Sequence, residues 1–156
     1  MGPNQYRDAV VEKRREHGFE VVDGYTRGFD PVWVTRDDDP SVGECVALAT
    51  LVDESDPTPD DVTATADEFR DVLVEQVDDR RGPTTPLGYV VFTVSDPDRS
   101  VIDAAKSYTV ANRRTNVFPI VYDCDEETLH RHEVPRLKGR GIYRRQAEDA
   151  ERLFEV

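Results

Sequence analysis

The chain has 156 residues, a length that suits one domain with a single core, expected to run over 1–156. Its 33 acidic residues outweigh 20 basic ones for a formal charge of -13, and the only lysines are Lys13, Lys106 and Lys138. No apolar run approaches the roughly 20 residues of a membrane-spanning helix, Tyr6 stands where a myristoylation signal needs serine or threonine, and apolar periodicity along the whole chain excludes a disordered acidic tail.

The first predicted element is a helix over about Gln5 to His17, with Tyr6, Val10, Lys13 and His17 on one face and Gly18 as its stop. Short strands follow in "FEVVDGYTR" and "PVWVTR", and Asp37 to Pro40 read as a turn. "ECVALATLV" is apolar on both faces, which predicts a central strand. Thr58, Pro59 and Asp61 then form a strong helix start, a capping box with proline at the first helical position. Val62, Ala66, Phe69, Leu73 and Val77 carry that helix to near Arg80, and "RGPTTP" is a loop. After it come a strand "LGYVVFTV", a helix "DPDRSVIDAAKSYTVANRR" capped by Asp96 or Ser100, and a strand "TNVFPIVYD". "TLHRHEV" reads as an edge strand, "PRLKGRG" as a loop and "YRRQAEDAERLF" as the closing helix. The order αβββαβαββα predicts an α/β fold, a three-layer-like sandwich around a mixed central sheet. Cys45 and Cys124, both in apolar strand-like runs, read as two buried thiols in a reducing compartment, the cytoplasm.

The order of elements, with "YRDAVVEKRREHGFEVV" leading into "FDPVWVTRDDDPSVGECVALATLV", resembles the restriction-endonuclease-like fold of the PD-(D/E)XK nucleases over roughly residues 5–94. The resemblance implies carboxylates from a helix and two strands converging on magnesium, with a lysine that orients the attacking water. Glu12 matches the helix carboxylate, Asp30 the aspartate and Glu44 the acid of the third motif, so these three are the metal ligands of a nuclease reading. The third motif departs from the pattern, because Val46 stands where acid-x-lysine needs its lysine. Glu68 or Glu75 would have to replace the acid and Lys106 the lysine. The acidic, lysine-poor composition in turn resembles proteins of salt-loving archaea, whose charge is tolerable where molar salt cuts the Debye length to about 3 Å.

Two further sites are weighed. Arg113, Arg114, Arg131, Arg136, Lys138, Arg140, Arg144 and Arg145 gather positive charge in the C-terminal third, a candidate nucleic-acid surface set against pairing with the acidic helix Asp60–Asp79. Cys124, His130 and His132 have the donor types of a zinc site but lack a fourth ligand, and an exposed strand face is the preferred reading. No Gly-x-Ser-x-Gly or phosphate-binding loop occurs, which removes acyl transfer and nucleotide hydrolysis. Trp33 reads as sheet packing. The expectation is a non-catalytic interaction or regulatory module without a cofactor, pairing with another protein or with itself. A magnesium-dependent nuclease with a displaced lysine and a non-catalytic nucleic-acid binder are the alternatives.

Overall fold

The computed structural model describes residues 2–77, 84–109, 111–112, 115–135 and 140–156, without the side chains of 111, 112 and 140. Along the chain it contains α1 (Pro3–Glu16), β1 (Glu20–Val21), β2 (Val32–Asp39), β3 (Gly43–Asp53), α2 (Pro59–Gln76) and β4 (Thr85–Val94). These are followed by α3 (Arg99–Ser107), β5 (Ala111–Asn112), β6 (Thr115–Asp123), β7 (Thr128–His130) and α4 (Arg140–Leu153).

The sheet runs β1-β2-β3-β4-β6, and both β5 and β7 pair antiparallel with the far side of β6. β1, β2 and β3 form an antiparallel meander, whereas β3, β4 and β6 are parallel neighbours. Parallel neighbours need crossover helices, and two right-handed crossovers advancing in one direction lay both helices on one face. Accordingly α2 and α3 share a face, where Val62, Phe69, Leu73, Val101 and Ala105 pack on Val46, Leu48, Val90, Phe92 and Val121. On the other face α1 and α4 bring Tyr6, Val10, Leu153 and Phe154 onto Trp33, Ala47, Tyr89, Phe118 and Tyr122. The predicted mixed α/β sandwich is what forms, and β3, with Cys45 to Leu51 buried, is the central strand expected.

Local signals account for several boundaries. Thr58 and Asp61 exchange the two hydrogen bonds of a capping box, at 2.9 and 3.1 Å. Tyr6 stacks on Tyr122, and its hydroxyl donates to the Phe154 carbonyl at 2.9 Å, which locks α1 to the end of α4. Trp33 is core, as expected, and Cys45 and Cys124 are buried thiols.

Other boundaries differ from the sequence reading. Asp37 to Asp39 belong to β2, and the turn shrinks to Pro40–Val42 because the Asp39 carboxylate accepts the N–H groups of Ser41 and Val42 at 2.8 and 3.1 Å. The strand expected over "FEVVDGYTR" keeps only two residues, since Gly24, Arg27 and Gly28 adopt positive φ. α3 begins after Asp98, between the two expected caps, and stops at Ser107 instead of running to Arg114. Tyr108 leaves the helix there, its hydroxyl donating to Asp67 at 2.5 Å while Arg70 donates to the Thr109 carbonyl at 3.1 Å. The chain then makes the unpredicted strand β5. β7 is shorter than expected and α4 begins earlier, at Arg140. α2 stops at Gln76, short of the expected end near Arg80, because Val77 already has extended backbone.

Candidate functional site

The hairpin register decides which carboxylates can meet. Val32 faces Thr50 across β2 and β3, so Asp30, just before β2, lies toward the carboxyl end of β3. Glu44 faces Asp38 at the opposite end of the hairpin. From Glu44 to Thr50 is six strand steps of about 3.3 Å, roughly 20 Å. Glu12 lies exposed on α1, its carboxylate 3.4 Å from Arg15. The expected trio of Glu12, Asp30 and Glu44 therefore does not converge. Among the described residues no group of three or more His, Cys, Asp or Glu side chains is placed to hold a metal ion.

Asp30 instead shares a cleft of about 380 Å³ with Arg7, Arg27, Asp53, Glu54 and Glu68. A neighbouring cavity of about 470 Å³, reached by Asn4, Ser55, Thr93 and Ser95, has Asp53 and Glu54 in common with it. Both open at the carboxyl end of β3, and the second also at that of β4, the end of a parallel sheet where ligands of α/β proteins bind. Asp53 is engaged on both oxygens: Arg7 stands 3.5 Å from one, and the Thr93 hydroxyl donates to the other. Arg27 turns away to Glu75 at 2.8 Å and Asp71 at 3.9 Å, which fixes the loop before Phe29 on α2. Of the replacements considered, Glu68 reaches the cleft and Glu75 is taken by Arg27. Lys106 stands on α3, where its charge acts on His130 near the far side of the sheet. Asp53, Glu54 and Arg7 were missed by the sequence reading. The short hairpin turn was the available signal, because it places the residues before β2 opposite those that end β3.

A second cluster lies at the other end of the hairpin. Arg145, 2% exposed, donates to both Asp37 oxygens at 2.8 and 3.1 Å and to Asp149 at 2.9 Å, with Asp39 at 3.6 Å. Arg144 pairs with Asp39 at 2.9 Å and also with Glu148, Arg152 holds Asp149 at 2.8 Å, and the Tyr89 hydroxyl donates to Asp149 at 2.5 Å. Burial and the Asp149 charge raise the Tyr89 phenol well above its ordinary range, and burial pushes the Cys45 thiol up to about 11. Arg144 and Arg145, expected on a nucleic-acid surface, are thus committed to carboxylates of β2 and α4. Their partners are also not the acidic helix weighed as the alternative. Arg113, Arg114, Arg136 and Lys138 lie outside the described residues, as does the Arg140 side chain. His132 is buried against Phe118 and Tyr143, its Nε2 at 3.2 Å from the Tyr108 carbonyl, so it does not share an exposed strand face with His130.

The ion-pair cluster makes stability depend on acid. Burial alone would raise the Asp39 carboxyl, but the Ser41 and Val42 N–H groups and the Arg144 and Arg145 charges outweigh it and hold the pKa below the usual 3.8. A carboxyl depressed in the folded state contributes stability that is present above its unfolded value and is lost as pH falls through the folded one. The unfolding free energy from urea titration is therefore expected to drop below about pH 4, and Asp39→Asn to flatten part of that drop. An unchanged acid limb in Asp39→Asn would remove Asp39 as a source.

Comparison with protein-family models, curated proteins and solved structures finds no match to this chain.

Proposed function

We propose that this chain is a non-catalytic α/β domain, an interaction or regulatory module adapted to a salt-rich interior, on a scaffold of restriction-endonuclease-like order. The observation that carries the reading is the separation of the expected carboxylates: Asp30 and Glu44 stand at opposite ends of the β2–β3 hairpin. Of the acids at Asp30's end, Asp53 is already engaged on both oxygens, by the Arg7 charge and by the Thr93 hydroxyl. Hydrolysis of a phosphodiester by metal ions needs carboxylate oxygens free to take the cation. The open, mixed-charge cleft suits contact with a partner's polar groups, and the charge of -13 with three lysines supports the salt-adapted part.

One arrangement favours a second reading, a magnesium-dependent nuclease. Asp30, Asp53, Glu54 and Glu68 line the same cleft, and the Arg7 guanidinium stands beside Asp53 where that chemistry asks for a cation. A cleavage assay with magnesium or manganese on branched, single-stranded and duplex DNA in molar potassium chloride separates the two. The module reading expects intact DNA from the native chain. Metal-dependent cleavage that is lost in both Asp30→Ala and Asp53→Ala would overturn it.

A further inference from the structure

β1 pairs with β2 only at Trp33 and Val34, and no strand among the described residues pairs with the outer edge of β2 from Thr35 to Asp39. The Val32 carbonyl accepts the Val22 N–H at 2.8 Å, so the main-chain polar groups of Val32 point to this outer edge. By the two-residue alternation of an antiparallel strand, so do those of Val34, Arg36 and Asp38. Arg36 and Asp38 are exposed, two residues apart and hence on one face, and neither side chain makes a hydrogen bond or ion pair among the described residues. Their neighbours in the strand, Asp37 and Asp39, are both held by arginines of α4.

Unpaired strand edges are commonly defended by charge. Here the charge is self-complementary. We propose that a second copy of this chain docks on the β2 edge, its β2 antiparallel to this one, with the twofold axis through Asp37. Arg36 then lies opposite Asp38 of the partner subunit, and Asp38 opposite Arg36 of the partner subunit. Both are positions whose N–H and C=O groups face outward, so two hydrogen-bonded residue pairs coincide with two opposite-charge pairs. An axis through Arg36 would oppose like charges and run into β1. On the chosen axis the two Asp37 carboxylates meet, but each is already bound by Arg145 through both oxygens. The dimer does not depend on what the cleft binds.

Sedimentation of the intact chain from micromolar to millimolar concentration, at low and at molar salt, tests this pairing. The native chain is expected to dimerise, and Arg36→Asp and Asp38→Arg each to weaken the dimer about tenfold or more by placing like charges opposite one another. Mixing the two single variants restores opposite-charge pairs and is expected to give a heterodimer of native strength. A native chain that stays monomeric, single reversals without effect, or a mixture that fails to associate would each overturn the pairing, whatever the DNA assay returns.

Discussion

Replacing Arg145 with methionine is expected to destabilise the fold by about 3–5 kcal/mol, read as a lower urea midpoint at unchanged slope. The guanidinium is 2% exposed and serves Asp37, Asp39 and Asp149 together. Removing it leaves carboxylates in a buried setting with fewer donors, and the cost of an uncompensated buried charge exceeds the net worth of the pair. Arg152 and Tyr89 remain on Asp149, and Arg144 on Asp39, which places the effect toward the lower end of the range. Salt separates this cluster from the surface pairs. Exposed pairs such as Arg99–Asp103 are screened in molar salt, whereas the Arg145 contacts are shielded from solvent, so the loss is expected to persist there. A change below about 1 kcal/mol would mean that α4 is held by its apolar face alone.

Phe69→Ala is the second large loss, also about 3–5 kcal/mol. Phe69 is fully buried on α2, meets Phe29 edge-on with ring centroids 5.1 Å apart, and lies over Gly88 of β4. A Cβ at position 88 would stand 3.2 Å from the Phe69 ring and 3.3 Å from Leu73, so the glycine lets the helix approach the sheet. Gly88→Ala alone is expected to cost about 1–3 kcal/mol by overpacking. In the Phe69→Ala background the new methyl enters the space the ring vacated, and the double variant is expected to be more stable than the two losses added. Strict additivity in that cycle would disprove the contact.

Legibility in the sequence followed distance along the chain. The Thr58–Asp61 cap, the central apolar β3 and the alternation of strands with helices are local patterns, and each forms where it was read. Asp37 to Asp39 looked like a turn because three acids beside a proline favour one. They pair instead with Gly43 to Cys45 of β3, and the Asp37 and Asp39 charges are met by Arg145 and Arg144, more than a hundred residues later. α3 ended early for a similar reason, as Tyr108 finds Asp67 on another helix. The candidate cleft was half legible: Asp30 and Glu68 were named, but Asp53 enters only through the register of the hairpin, which a list of acids along the chain does not contain.

The hydrogen bond from Tyr6 to the Phe154 carbonyl bears on the order in which the parts assemble. On the ribosome, α1 is made long before the helix that carries its acceptor, and an isolated helix of that length is marginal in water. α1 thus gains its final seat only after the end of α4 has emerged, and that seat carries the entropy of closing a loop of nearly the whole described chain.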